Sequence, residues 1–149
     1  MTQLSFHSPV GDLTLSEEDG KIVSLDWGWS PLSTGTAFLN RAKLLLEAYF
    51  DGQNPDLSLP LNCAGSDFQK QVWKVISKIP YGKTMTYGEI ASIVNSHPRA
   101  VGRACGRNPV PIIIPCHRVT GKNGSLTGYS GGDGSETKKF LLELEEYKA

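Results

Sequence analysis

Residues 86–107 read TYGEIASIVNSHPRAVGRACGR, and their punctuation decides how the chain folds. Thr86-Tyr87-Gly88-Glu89 is a capping-box pattern, in which a threonine hydroxyl and a glutamate three residues on satisfy each other's backbone donors. It starts a short helix with Ile90, Ala91 and Val94 inward. Asn95-Ser96-His97-Pro98 makes a turn, and Pro98 suits the first position of a further helix, where its missing N–H would be unpaired in any case. That helix runs to about Gly106. Short helix, tight turn, short helix is a helix-turn-helix outline. Arg99, Arg103 and Arg107 recur every four residues on one stripe, while Ala100, Gly102, Ala104 and Gly106 are small. Each glycine costs a helix roughly 1 kcal/mol relative to alanine, so two of them point to close approach of something bulky. A DNA backbone or groove, or another helix, would qualify.

Working outward, Ser66-Asp67-Phe68-Gln69 is a second capping box, followed by Phe68, Val72, Val75, Ile76 and Ile79 on one helical face that ends at Pro80-Tyr81-Gly82. Before it, residues 52–65 are polar and contain proline, the composition of a linker. Phe38 to Phe50 has helical spacing and stops at Asp51-Gly52. Leu4 to Trp27 alternates apolar and polar around Asp19-Gly20, the signature of a β-hairpin on a small antiparallel sheet. A last helix is expected over Ser135 to Tyr147. The fold class is therefore α/β of the segregated α+β kind: a small α/β N-terminal domain with linker over 1–60, then a mainly helical domain over 66–149 that contains the helix-turn-helix.

The 149 residues, 39% hydrophobic, suffice for one compact unit or two small ones sharing a core. No segment approaches the roughly 20 apolar residues needed to span a bilayer, and three cysteines are too few for a disulfide framework. An intracellular setting is expected: cytoplasmic, or nuclear if the source is eukaryotic. Net charge is zero, which argues against a polyanionic partner until it is mapped along the chain. From Asp67 to Lys122 there are nine bases and two acids, a local +7 balanced by −7 elsewhere. The local field decides where a polyanion docks.

The chemistry gathers further on, in Ile112-Ile113-Ile114-Pro115-Cys116-His117-Arg118-Val119, where the prolines oppose a helix and three β-branched residues favour a buried extended strand. A buried cysteine alone reads as a packed thiol. A neighbouring histidine and an arginine beyond it can both favour thiolate. Because neighbours on a strand face opposite ways, His117 is expected to reach the sulfur through a water or a local bend. His7, Cys63, His97 and Cys105 do not combine with these into paired zinc spacing. No metal and no cofactor is expected; His7 and His97 read as surface or turn residues, Cys63 and Cys105 as spectators.

Pro115-Cys116-His117-Arg118-Val119, preceded by Asn108-Pro109 and followed by Gly128-Tyr129-Ser130-Gly131-Gly132, resembles the active-site signature of the O6-alkylguanine-DNA alkyltransferases. The resemblance runs from about Phe68 to the C-terminus, and in outline it makes the front part a ribonuclease-H-like sheet. It implies that Cys116 accepts the alkyl group, that His117 is its base through water, and that Glu145 orients His117. Glu143 and Glu146 are the alternatives, because the spacing after Gly132 is two residues longer than one familiar version of the family. It also implies that Tyr87 donates a proton to the guanine ring, that Asn108 ties the helix-turn-helix to the active-site segment, and that Val119, Tyr129, Ser130 and Gly131 bind the base. Arg99 becomes the finger inserted where the damaged nucleotide leaves, with Ala100, Gly102, Arg103 and Arg107 against the minor groove. The implied partner is double-stranded DNA containing O6-alkylguanine, with O4-alkylthymine as a further candidate, met by a monomer without cofactor or membrane. Two other classes stay open on the residues alone: a non-catalytic lesion-sensing helix-turn-helix module, and a thiol hydrolase using Cys116 and His117.

Overall fold

The computed structural model describes residues 1–126, 129, 131–132 and 134–148, the last two without their side chains. Three antiparallel strands, β1 (Thr2–Phe6), β2 (Leu13–Glu18) and β3 (Lys21–Trp27), form a sheet in the order β1-β2-β3. Asp19 and Gly20 both take positive φ, 55° and 76°, as the tight turn between right-twisted strands demands. The alternation then buries Leu13, Leu15, Ile22 and Leu25. Helix α1 (Ala37–Phe50), capped by the Thr36 side chain, lays Leu39, Ala42, Leu46 and Tyr49 into the same core.

The polar stretch expected as a linker has neither helix nor extended strand, yet it does not hang free. The Ile22 N–H donates to the Pro60 carbonyl and the Asn62 N–H to the Ile22 carbonyl, each at 2.9 Å. Leu57, Leu59 and Leu61 pack on the core. Their apolar side chains, at every second position, outweigh the polar residues between them. A further backbone bond, Leu25 N–H to Pro109 carbonyl at 2.9 Å, fastens the sheet to the segment that precedes Cys116.

Helix α2 (Asp67–Ile76) opens with both halves of the Ser66–Gln69 capping box formed. It stops three residues short of the expected Ile79, because Pro80 disfavours helical backbone in the residue before it and the last residues turn off into a loop. Strand β4 (Met85–Thr86) leads into α3 (Tyr87–Val94) through the second complete capping box. Asn95 ends α3 in the left-handed conformation, φ 54°, and His97 caps α4 (Pro98–Gly106), its Nδ1 accepting from the Arg99 N–H at 3.1 Å. Val101, Ala104 and Cys105 face inward, and the Trp73 indole holds the Ala104 carbonyl at 2.9 Å. The helix-turn-helix therefore rests on α2.

The expected buried strand over Ile112–Ile114 does not form. The three isoleucines are buried, but they sit in a tight turn in which Ile112 has φ 76° and the Ile114 N–H returns to the Val110 carbonyl at 2.9 Å. A β-branched residue at positive φ costs on the order of 1–3 kcal/mol and persists only where its surroundings over-determine it. Asn108 does so, accepting from the Val110 N–H at 2.9 Å and donating to the Ile114 carbonyl at 2.8 Å. A single 3-10 turn, Cys116–Arg118, follows, and β5 (Val119–Thr120) pairs in parallel with β4. Helix α5 (Ser135–Lys148) closes the chain against that turn.

Candidate active site

Cys116 lies on the 3-10 turn, 4% exposed, beside a cavity of about 320 Å³ whose walls include Trp27, Cys105, Asn108, Pro109 and Tyr129. Asn108, already holding the turn, spends its second amide hydrogen on the Cys116 sulfur at 3.1 Å. The front sheet contributes Trp27, whose ring meets Tyr129 edge-on with centroids 6.4 Å apart. Gly131 lies so close to Trp27 that a β-carbon there would come within 2.5 Å of the indole, so this wall tolerates no side chain. A larger cavity of about 470 Å³, lined by Tyr49, Tyr81 and Arg118 beneath residues 54–61, shares no wall with the first and does not reach Cys116.

The turn sends His117 away from the cavity into a buried polar cluster. Its Nε2 meets Glu145 Oε2 at 2.5 Å, and Glu145 Oε2 also accepts from the Tyr49 hydroxyl at 2.6 Å. Arg118 grips the same carboxylate through Nε at 2.9 Å and Nη2 at 3.1 Å, and the Gly82 N–H donates to Oε1 at 3.1 Å. Glu145 is thus the carboxylate that α5 delivers. Glu143 is exposed and reaches only Lys139 at 4.0 Å, and Glu146 is exposed. With Nε2–H committed to Glu145, the imidazole keeps a lone pair on Nδ1. That atom is buried and has no hydrogen-bond partner among the described residues.

The electrostatics follow from burial and pairing. Burial holds His117 below its usual value, against the pull of Glu145, so the ring is neutral near pH 7. Burial alone would raise Glu145, but the hydrogen bonds from His117, Arg118 and Tyr49 reverse that and hold it at about 2. The Cys105 thiol and burial push Cys116 up, opposed by Asn108 and by the charge of Lys138. Lys138 is itself pulled down by burial. The ammonium donates to the Tyr87 hydroxyl at 3.3 Å.

The remaining candidates fall into two groups. Tyr87, half-buried at the start of α3, lies against Gly102, where a β-carbon would stand 4.0 Å from the ring. Val119 is buried next to Cys116, and its N–H closes the 3-10 turn on the Cys116 carbonyl. Tyr129 borders the cavity, its phenol pushed up by burial and by Cys116; Gly128 and Ser130 lie outside the described residues. Arg99 and Arg103 are exposed on α4, with Ala100 and Gly102 partly covered. Arg107 sits just past the helix as its C-cap, so the third arginine continues the stripe from a turn.

Two readings change, and two residues join the site. Arg118 was expected to favour the thiolate, but its guanidinium is turned to Glu145 and the Ile79 carbonyl, 2.8 Å away. Cys105, read as a spectator, lines the same cavity as Cys116, and each thiol shifts the ionisation of the other. Lys138 and Tyr49 were missed. For Lys138 a signal existed, because Lys138, Leu141 and Glu145 recur at helical spacing and all are buried. Tyr49 had none: it is one apolar-face residue of α1 among several. Tyr49→Phe is expected to destabilise the protein by about 1.5–3 kcal/mol, the range for a hydrogen bond to a charged group, read as a shift in the urea midpoint. Elsewhere His7 pairs with Asp12 at 2.6 Å on the surface, and no group of three metal-ligating side chains gathers among the described residues. No helix among those residues is long and apolar enough to cross a membrane.

Comparison with known proteins identifies the family of the chain. Residues 67–147 match the family model described as 6-O-methylguanine DNA methyltransferase, DNA binding domain, and residues 2–63 match its ribonuclease-like domain. The constitutive methylated-DNA–protein-cysteine methyltransferase of Bacillus subtilis is 42% identical over 93% of this chain and 91% of its own length. The enzyme of that name from Methanosarcina acetivorans is 43% identical over 94% and 95%. Among solved structures, the Mycobacterium tuberculosis O6-methylguanine methyltransferase superposes with a TM-score of 0.87 at 39% identity, covering 99% of this chain and 94% of that one. The M. tuberculosis protein in complex with DNA gives 0.88 at 40%, over 100% and 95%. This chain, with its front sheet, its helix-turn-helix and its buried cysteine, belongs to the O6-methylguanine DNA methyltransferase family.

Proposed function

We propose that this protein repairs O6-alkylguanine in double-stranded DNA by moving the alkyl group to Cys116, once per molecule, with O4-alkylthymine as a further candidate substrate. The observation that carries the reading is the joint placement of a buried sulfur at a cavity wall and a neutral histidine oriented by a carboxylate behind it. That is the nucleophile, base and orienter pattern built with cysteine. Residues 66–149 would bind DNA and react, and residues 1–60 would brace the cavity through Trp27.

The Cys116 proton passes through one water to Nδ1 of His117, and the imidazolium that forms is stabilised by Glu145. The thiolate attacks the alkyl carbon in line; the S–C bond forms, the C–O6 bond breaks, and the electron pair leaves with guanine. The Tyr87 hydroxyl, held by Lys138, supplies a proton to the ring as that charge develops. Val119, Tyr129, Ser130 and Gly131 frame the base. The product is a thioether, which none of these groups is suited to cleave.

A duplex hides O6 in the stack, so the nucleotide must be flipped, at a cost of a few kcal/mol. Arg99 fills the gap it leaves, Ala100 and Gly102 let α4 approach the minor groove, and Arg103 and Arg107 hold phosphates. Arg99→Ala is expected to slow transfer from duplex roughly 10- to 100-fold and to leave transfer from the free modified base near normal. Equal losses on both substrates would contradict the finger role. The work is that of a monomer in the cytoplasm, or the nucleus of a eukaryote. The deciding experiment is the intact mass after incubation with an O6-methylguanine duplex. A methyl-sized gain confined to the Cys116 peptide supports transfer; DNA binding with no gain would favour a lesion-sensing module instead.

A further inference from the structure

Cys105 has no part in the mechanism above, yet the fold brings it to the reacting sulfur. It stands on the inner face of α4, 6% exposed, and the Asn108-held turn doubles the chain back so that Cys105 and Cys116 line the wall of one cavity, each thiol bearing on the ionisation of the other. Both sulfurs border the same cavity of about 320 Å³, which gives a small reagent access and a side chain room to rotate. Lys138 bears electrostatically on both. Cys63 borders a different cavity, with Trp73 and Lys70, and takes no part.

Two thiols so placed behave as one acid. When either loses its proton, the other can donate its S–H to the sulfur left behind, so the pair gives up its first proton more readily than a lone buried thiol would. Thiolate is the form that hydroperoxides oxidise, and an oxidised sulfur beside a second thiol meets it before it meets more oxidant.

We propose that Cys105 is a resolving thiol for Cys116: on exposure to a hydroperoxide the two form a disulfide that silences the acceptor reversibly and spares it from irreversible oxidation. In the first step the O–O bond of hydrogen peroxide breaks and Cys116 becomes a sulfenic acid, with one water released. In the second the Cys105 sulfur attacks the Cys116 sulfur, the S–O bond breaks, and a second water leaves with the Cys105 proton. Two thiol electrons have reduced one peroxide. A thiol reductant restores both cysteines by exchange. The loss of transfer rests on reading Cys116 as the acceptor; the disulfide does not.

The test treats the full reduced chain with a slight excess of hydrogen peroxide, blocks remaining thiols with iodoacetamide, and maps peptides without reduction. The expected result is a linked pair containing Cys105 and Cys116, lighter than the separate peptides by two hydrogens. Transfer from an O6-methylguanine duplex should fall in proportion to the link and return with dithiothreitol. Cys105→Ala, and Cys105→Ser as a second variant, should react with peroxide more slowly, but once oxidised should carry sulfinic or sulfonic acid on Cys116 and recover little of their own untreated activity. Sulfinic or sulfonic acid on Cys116 of the unaltered chain without the link would overturn the proposal, as would equal recovery in the variants. A link formed in a protein that never gains a methyl at Cys116 would support the disulfide and remove the acceptor reading instead.

Discussion

Cys116→Ala is expected to abolish alkyl transfer while leaving affinity for O6-methylguanine duplex within a few-fold of the unaltered protein. The sulfur is the atom proposed to form the new bond, and the contacts proposed for DNA lie on α4, whose exposed arginines do not touch it. Removing a nucleophile commonly costs six orders of magnitude or so, more than any orienting group. The loss is read as absence of any mass gain on the 116 peptide; affinity is read by gel shift or anisotropy at fixed salt, because phosphate contacts make binding salt-dependent. The side-chain change is small: truncation to alanine deletes one sulfur facing an existing cavity, so the protein should fold. Residual transfer to another residue of the variant would remove Cys116 from its role. Lost binding would mean that the sulfur's neighbourhood holds the DNA helix in place.

The second large effect is expected at Glu145. Its carboxylate accepts from Tyr49, His117, Arg118 and the Gly82 N–H at once, in a site where Glu145 is 1% exposed. Glu145→Gln keeps the shape, removes the charge and leaves the half-buried Arg118 without its counter-ion. Breaking a buried pair in this way costs about 3–5 kcal/mol, a large part of the roughly 5–15 kcal/mol that holds a domain folded. An amide can also donate to Nε2, which would shift the histidine proton to Nδ1, the atom meant to receive the thiol proton. Transfer should therefore fall by about 10²–10⁴-fold, the scale of general base catalysis. Glu143→Gln, on the exposed face, should change stability by no more than about 0.5 kcal/mol. If the two variants behaved alike, the orienting carboxylate would have to be sought elsewhere on α5.

The same cluster sets the acid side of the stability profile. His117 lies below 6.5 when folded and Glu145 is held at about 2 against 4.5. Both values are depressed, so the folded state binds fewer protons than the unfolded chain between the paired values. The stability the two contribute is full above about pH 6.5 and is lost as pH falls, first through His117 and then, between 4.5 and 2, through Glu145. Melting temperature should fall with pH in both windows, and Glu145→Gln should erase the lower one. A profile in which the variant kept that lower step would assign it to other carboxylates.

Much of this was written locally. The capping boxes at Ser66 and Thr86, the Asp19-Gly20 turn and the Pro98 start are each decided by a few neighbouring residues satisfying backbone groups. The cysteine motif and the arginine stripe are linear too, which is why the family was legible before any contact was known. The strand expected over Ile112–Ile114 failed because β-propensity measures fit to a half-buried pleat, and no partner strand is offered there. Asn108 instead satisfies the backbone of a turn, and that turn is what presents Cys116 and His117 to different surroundings.

By itself, then, the sequence determined most of the elements, their caps, the helix-turn-helix and the cysteine motif, because these depend on interactions between residues a few positions apart. Only the tertiary structure decided which glutamate meets His117, that Arg118 serves that glutamate and not the thiol, that Tyr49 of the front helix closes the cluster, and that Cys105 shares a cavity wall with Cys116. Those contacts join residues up to 96 positions apart. They are fixed by how helices and sheet share one buried core, and no local pattern encodes the direction in which a buried side chain finds its partner.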